Sequence, residues 1–423
     1  MRNSDYFRNK KITVVGLARS GLACANLLYS LGADVSVTDK QDNAATCANA
    51  LKLESAQIKF ELGVHTQAFI KGKDLVVVSP GVSNESLPLK WAQEFKVPVI
   101  AEIELSWIAC STPNIIAVTG TNGKTTVTTL IGRVLEAAGK RVFTCGNIGN
   151  PFCGEVEKIA VGDFVALEVS SFQLEKIETF RPKIALLLNF SRNHLDRYKD
   201  MQDYLRAKKR IFMNQDKSDY LVLNKNDQTL KSLDKESKAK IVYFSESPDI
   251  NPNQAAVLAV GEILGISKEI IYRVFAEFKG VQHRLEFVAE IGGVRFFNDS
   301  KATTVDSAVW ALQNMSSPVV LIAGGRGKGN DYNTILNLAV QKVKEAVVIG
   351  EAALQIRDAF LKFFPVEKAG TLPEAVNIAY KKAVPGDCVL FSPMCKSFDM
   401  FSDYEERGRV FKQAVQELIK NGA

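Results

Sequence analysis

Residues 115–135 constrain the fold of this chain more than any other stretch. An apolar run over 115–118 enters Thr119-Gly120-Thr121-Asn122-Gly123-Lys124-Thr125-Thr126. A helical pattern leaves it through Val127, Leu130, Ile131, Val134 and Leu135. Strand, glycine loop, Lys-Thr and helix, in that order, are the architecture of a phosphate-binding P-loop. Gly120 and Gly123 let the backbone turn tightly, so that its N–H groups point inward at an anion. The helix N-terminus adds the positive end of its dipole. Lys124 brings a point charge to the outer phosphates, and the Thr125 hydroxyl can hold Mg²⁺. The spacing departs from G-x-x-x-x-G-K-[ST], because only two residues separate the glycines. The plain alternative is a glycine turn before an ordinary helix. With the correct strand before and helix after, the expectation is an ATP site contacted by Gly120, Thr121, Asn122, Gly123, Lys124, Thr125 and Thr126.

At 423 residues the chain is long enough for about three domains of ~140 residues. A net charge of +6 with both signs interspersed argues for solubility and gives no reason to expect nucleic acid. The seven cysteines show no C-x-x-C, which predicts reduced thiols in a cytoplasmic protein. No signal peptide is expected, and no apolar run approaches the ~18 residues of a membrane span. With only His65, His194 and His283 present, zinc held by a His/Cys cluster is not expected.

The first unit reads as βαβ: a strand over 11–15, the turn Gly16-Leu17-Ala18-Arg19-Ser20-Gly21, a helix over 22–31 and a strand ending at Asp39. This is close to the dinucleotide fingerprint G-x-G-x-x-G, but Ala18 stands where the middle glycine belongs. A nicotinamide dinucleotide, another nucleotide and a purely structural turn all stay open. A third buried strand, over 74–78, runs into Ser79-Pro80-Gly81-Val82, where ligands of open α/β sheets bind. A strand over 98–102 closes the unit.

The second unit carries the P-loop. Strand-end loops follow at Gly146-Asn147-Ile148-Gly149 and at Asn189-Phe190-Ser191-Arg192-Asn193-His194. Glu168 lies inside an apolar strand. A carboxylate there is costly to bury unless it is paired or on a metal, so it reads as an Mg²⁺ ligand or, failing that, as a strand edge open to solvent. His194 is either structural or functional. Lys208-Lys209-Arg210, on a helix over 201–212, is by itself a solvated face. Asn224-Lys225-Asn226-Asp227 has the N-K-x-D form by which small GTPases read guanine, which raises a GTP-binding switch as a second function class. No D-x-x-G follows a strand to support it. Residues 231–240 read as a polar surface loop, and helices are predicted over 253–264 and 268–278.

In the third unit, strands over 294–297, 319–323, 346–349 and 388–391 each deliver a polar or glycine-rich loop at the carboxyl end. This is a doubly wound α/β pattern. The bland alternative is ordinary βα turns.

Nine stretches in order give the chain a further reading: GTNGKTTVTTL (120–130), GNIG (146–149), LEVSSFQLE (167–175), NHLDRY (193–198), RAKKRI (206–211), HRLE (283–286), NDSKATT (298–304), GGRGKG (324–329) and SPMCKSFDMF (392–401). Over its whole length the chain resembles the Mur ligases of bacterial cell-wall synthesis, and SSFQLE and NDSKATT point to the branch that adds D-glutamate. The resemblance implies three α/β domains: a Rossmann-like UDP-substrate domain over 1–102, a P-loop ATP domain over 103–281 and a C-terminal domain over 282–423. It implies ATP-dependent addition of D-glutamate to UDP-N-acetylmuramoyl-L-alanine through an acyl phosphate, in a cytoplasmic monomer. A sister ligase with another acceptor is the neighbouring alternative.

By the same resemblance, Gly16, Leu17, Ala18, Arg19, Asp39, Ser79, Pro80 and Gly81 line the UDP site. Lys124, His194 and Lys208 are the catalytic set. Thr125, Glu168, His194 and a carbamylated Lys208 hold two Mg²⁺, with Asn147 in support. Asn253, Arg284 and Asp299 reach the ATP, and Thr303, Lys328, Ser397, Phe398 and Tyr404 hold D-glutamate. The sequence departs from the family pattern at Asn193, where an acidic residue is usual, and at Arg326, where an aspartate is common. It also departs before Asn253, where a glycine-x-histidine-asparagine pattern is absent.

Overall fold

The computed structural model describes residues 4–194, 197–278, 280–315, 318–327 and 329–420. The chain forms two compact units, 1–278 and 279–423. Among the described residues the first unit holds two sheets and the second holds one.

The first sheet contains β1 (Lys11–Val15), β2 (Asp34–Asp39), β3 (Lys59–Leu62), β4 (Leu75–Val78) and β5 (Val99–Ala101), all parallel, in the order β3-β2-β1-β4-β5. Its central strands are covered on both faces and therefore read as unbroken apolar runs such as Leu-Val-Val-Val in β4. The predicted closing strand stops at Ala101. Glu102 and Glu104 instead begin the helix Glu102–Ala109, on which both carboxylates are buried.

The second sheet contains β6 (Ile115–Thr119), β7 (Val142–Gly146), β8 (Phe164–Glu168), β9 (Ile184–Leu187), β10 (Tyr220–Asn224) and β11 (Lys240–Phe244), in the parallel order β11-β10-β9-β6-β8-β7. Every residue of β6 is buried, and it lies between β9 and β8. A strand that leads to a phosphate loop is thus held on both sides. The predicted surface loop over 231–240 is corrected here. Lys231 ends the short helix Gln228–Lys231, Ser232–Glu236 is a 3-10 helix whose Leu233 is buried, and the edge strand β11 begins at Lys240. The lysines and serines of 231–240 face solvent, which gave the stretch the composition of a loop.

The third sheet contains β12 (Glu286–Ile291), β13 (Val294–Asn298), β14 (Val319–Gly324), β15 (Val343–Ile349), β16 (Val366–Lys368) and β17 (Cys388–Phe391), in the order β12-β13-β17-β14-β15-β16. Only the β12–β13 hairpin is antiparallel. The unit closes with the long amphipathic helix Tyr404–Lys420, which buries Phe411, Ala414, Val415 and Leu418. Among the described residues no helix is long and apolar enough to cross a membrane.

Candidate functional site

The P-loop is built as its residues dictate. Gly123 caps the helix Lys124–Ala137 in the left-handed conformation, φ 82°. A Cβ there would lie 2.4 Å from Asn253 Oδ1. The conformation calls for glycine, and any side chain here would also have to displace the Asn253 amide; bare backbone at this point is what a close-fitting anion needs. Lys124 Nζ donates to the loop's own carbonyls, Gly120 O and Thr121 O, both at 2.9 Å. Thr125 is buried in the first turn of the helix.

Asn189, given no role by the sequence reading, ties the loop to the end of β9. Its Oδ1 accepts from Asn122 N at 2.8 Å and its Nδ2 donates to Asn122 O at 3.1 Å. Ser191 N donates to Thr121 Oγ1 at 3.0 Å. These contacts join residues about seventy apart in sequence and leave no local signature.

Glu168 ends β8 and is 1% exposed, so the solvent-edge alternative does not hold. Asn147 Nδ2 donates to its Oε1 at 2.7 Å. Lys208 is 2% exposed on the helix Met201–Lys209. Its Nζ donates to Gly120 O at 2.8 Å and stands 4.7 Å from the centre of the Tyr204 ring. Burial first, and the charge of Lys124 second, push its ammonium well below the usual lysine range. Lys209, by contrast, pairs with Glu236 at the surface. His194 adopts φ 57° and packs edge-on against Phe172 and Tyr204, with ring centres 4.8 and 5.8 Å away. Burial pushes the Tyr204 hydroxyl up to about 12. No group of three or more His, Cys, Asp or Glu converges on a metal position among the described residues. Glu168 ends the strand paired with β6, Thr125 lies in the first turn of the helix after the loop, and His194 packs on Phe172 and Tyr204. A hydroxyl and a carboxylate are oxygen donors of the kind that, with phosphate, suit Mg²⁺.

The N-K-x-D stretch is occupied structurally. Asn224 Nδ2 donates to Leu188 O at 3.1 Å. Asp227 accepts from Phe190 N at 2.8 Å and from Leu230 N at 3.1 Å. Both side chains that would read guanine hold main chain. Asn253 lies in the first turn of the helix Pro252–Ile263, which Asn251 caps.

At the first sheet, Gly16 follows β1 with φ 95°. A Cβ on Gly21 would lie 1.7 Å from Gly16 O, so the helix can start only with glycine there. Asp39 is engaged by the loop itself, accepting from Leu17 N at 2.5 Å and from Gln41 N at 2.8 Å. Two partners escaped the sequence reading: Asn49 Nδ2 donates to Leu17 O at 2.9 Å, and Glu61 accepts from Thr38 Oγ1 at 2.7 Å. Ser79 Oγ donates to Gly16 O at 3.2 Å, joining the two loops assigned to one ligand.

In the second unit, Asp299 follows β13 and is 3% exposed. It accepts from Ser392 Oγ at 2.8 Å and from Leu285 N at 3.2 Å. Burial raises its carboxyl to about 7 despite those bonds and the charge of Arg284. Ser397 is buried, Thr303 and Tyr404 are half-buried, and Phe398 is exposed. Lys328, assigned above to D-glutamate, lies outside the described residues. Arg326 is paired in bidentate fashion with Glu351, at 3.0 and 2.8 Å, so the unusual cation is matched locally. Arg407 was missed. It is 1% exposed and donates to Ser300 O at 2.7 Å, Ser300 Oγ at 3.1 Å and Cys395 O at 3.1 Å. It thereby clamps the loops after β13 and β17. A charge on the otherwise apolar face of the last helix was the available signal.

Comparison with known proteins agrees with this architecture. Residues 10–101 match the Mur ligase MurD-like N-terminal domain, 118–271 the Mur ligase middle domain and 283–395 the Mur ligase glutamate ligase domain. The UDP-N-acetylmuramoylalanine--D-glutamate ligase of Thermoanaerobacter pseudethanolicus is 40% identical over 450 residues, covering 97% of this chain and 99% of that protein. The enzyme of the same name from Geotalea daltonii is 40% identical over 448 residues, covering 97% and 98%. Among solved structures, the UDP-N-acetylmuramate-alanine ligase of Thermotoga maritima superposes with a TM-score of 0.63 at 20% identity, covering 97% of this chain and all of that one. That likeness speaks to the fold alone. With the three domain matches in order and near full-length identity to such ligases, the chain belongs to the Mur ligase family.

Proposed function

We propose that this chain is an ATP-dependent amide ligase that joins D-glutamate to UDP-N-acetylmuramoyl-L-alanine, a cytoplasmic step of peptidoglycan precursor synthesis. The observation that carries the reading is 40% identity across 97% of the chain to ligases of that name. The domain assignments are 1–102 for the UDP substrate, 103–281 for ATP and 282–423 for the amino acid, in a monomer.

The chemistry must bring a carboxylate to a polyanion, so the site has to neutralise charge before it can transfer anything. Lys124, the N-terminus of its helix and the N–H groups of the Gly120–Gly123 turn supply fixed positive potential there. Mg²⁺, when bound, supplies the remaining neutralisation. Thr125, Glu168, His194 and Lys208 are the residues proposed to hold it, at two positions. Carbamylation of Lys208 would convert a cation beside the P-loop into an anionic ligand. The burial that favours the neutral amine supports this, since the neutral form is the one that adds carbon dioxide. The activated carboxyl, an acyl phosphate, is then attacked by the amine of D-glutamate, and phosphate leaves. We assign Asn147, Asn253, Arg284 and Asp299 to the ATP side. Thr303, Lys328, Ser397, Phe398 and Tyr404 are assigned to the acceptor. Gly16 to Arg19, Asp39 and Ser79 to Gly81 are assigned to the UDP moiety.

The test is phosphate release from ATP with UDP-N-acetylmuramoyl-L-alanine and a panel of D-glutamate, L-glutamate, L-lysine and meso-diaminopimelate. Turnover should require D-glutamate. Faster turnover with either diamino acid would move the chain to a sister ligase.

A further inference from the structure

The loop after β4 is fastened at both ends. Ser79 Oγ reaches Gly16 O at 3.2 Å, and five residues on Asn84 Nδ2 donates to Glu175 Oε2 at 2.7 Å. Glu175 belongs to the segment that follows β8 in the second sheet's domain. It is gripped in bidentate fashion by Arg197, with Nε–Oε1 at 3.2 Å and Nη2–Oε2 at 2.9 Å, and receives Tyr198 OH on Oε1 at 2.7 Å. The third arm of the same guanidinium, Nη1, donates to Pro80 O at 3.3 Å. The face of Arg197 lies 4.2 Å from the centre of the Phe172 ring, and Phe172 packs against His194. Arg197 N also donates to His194 O at 3.0 Å. The crevice between the two loops is narrow, with Ser79, Pro80 and Asn84 on one side and Phe172, Glu175 and Arg197 on the other.

We infer that Arg197 and Glu175 form a positioning latch, which sets the substrate loop 79–84 of the first domain in register with His194 and the P-loop of the second. The inference rests on the ligase reading for its kinetic consequence, but the latch itself is made by the chain's own residues. A planar fork that matches a carboxylate fixes direction as well as distance. Here one fork holds a carboxylate, a carbonyl of the substrate loop and an aromatic ring at once. A ligand seated on Gly16 and Ser79 would present its far end to the P-loop only if this register holds. A misplacement of about 1 Å at such a distance costs roughly a hundredfold in rate.

The experiment compares wild type with Arg197→Ala, Arg197→Lys, Glu175→Gln and Asn84→Ala. Amide hydrogen exchange over 79–86 is measured without ligands, together with ADP affinity and the kcat and KM for the UDP substrate. Arg197→Ala and Glu175→Gln should speed exchange over 79–86 and lower kcat by roughly a hundredfold, with ADP affinity within about twofold of wild type. Arg197→Lys, which keeps charge but loses the fork, should fall between. Asn84→Ala, which removes an exposed contact and leaves the core alone, should show a smaller increase in exchange. Unchanged exchange with a raised KM would overturn the latch, because Arg197 would then be touching substrate directly. Lost ADP affinity would also overturn it, by placing the damage in the P-loop. Failure of wild type to turn over with D-glutamate would count against the ligase reading alone, since the exchange result is read without substrate.

Discussion

Asp299 offers a prediction whose size follows from its burial. Its carboxyl is raised from 3.8 to about 7, chiefly by desolvation. The folded state therefore holds a proton that the unfolded chain releases near pH 4. Between those two values the unfolded state binds fewer protons than the folded one, so stability falls as pH rises through this window and levels off above about 7. At ~1.36 kcal/mol per pH unit the loss is roughly 4 kcal/mol. His283 works in the opposite sense. Burial lowers it from 6.5, so it costs stability as pH falls through its unfolded value. The difference between wild type and Asp299→Asn cancels that contribution. The assay is urea unfolding at pH 4 to 8, followed by tryptophan fluorescence. Of the three tryptophans, Trp91 and Trp107 lie in the first unit and Trp310 in the second. Replacing the first two with phenylalanine makes Trp310 report the unit that holds Asp299. Wild type should lose about 4 kcal/mol relative to Asp299→Asn between pH 4 and 7. Parallel curves for the two proteins would refute the reasoning.

Three further outcomes follow. Lys124→Ala should abolish phosphate transfer while leaving affinity for the UDP substrate intact, as equilibrium titration of each ligand would show. Lys208→Ala should be inactive and partly rescued by small carboxylates, whereas Lys209→Ala, which loses only a surface ion pair, should keep most of its turnover in the same assay. Gly123→Ala imposes a side chain at φ 82°, a strain of roughly 1–2 kcal/mol, and pushes Asn253 aside. ADP affinity should fall at least about tenfold while the far-ultraviolet circular dichroism stays that of wild type.

The parts of the fold legible in the sequence share one cause. β1, β4, β6, β9, β14 and β17 are buried on both faces and appear as unbroken apolar runs bounded by glycine or polar loops. β3, β12 and β16 are sheet edges of three to six residues that stay exposed or half-buried apart from Ile291, so no unbroken buried apolar run marks them. The site divides in the same way. Gly120, Gly123, Lys124 and Thr125 are contiguous, so their chemistry is visible in a line of text. Asn189, Asn49 and Arg407 act by holding main chain that is distant in sequence. Nothing beside them in the sequence marks that contact.

The end of β5, the loop after β4 and the helix Glu102–Ala109 that follows the first sheet all reach one short segment after β8. Glu104, 0% exposed on the helix Glu102–Ala109, accepts from Glu178 N at 2.9 Å, Thr179 N at 2.7 Å and Phe180 N at 2.9 Å. A buried carboxylate is tolerable only with donors of this number and direction, and each such bond to a charged group is worth about 1.5–3 kcal/mol. Ala101 N, at the end of β5, donates to Lys176 O at 2.9 Å. Glu175 completes the set through Asn84 and Arg197. All of these lie within a dozen residues after β8, whose last residue is Glu168. The stretch that begins at Glu168 therefore also holds the end of β5 and the loop after β4. A ligase that must deliver a carboxylate from one domain to a phosphate held by another needs such a shared reference, because positional error between the two domains enters the rate directly.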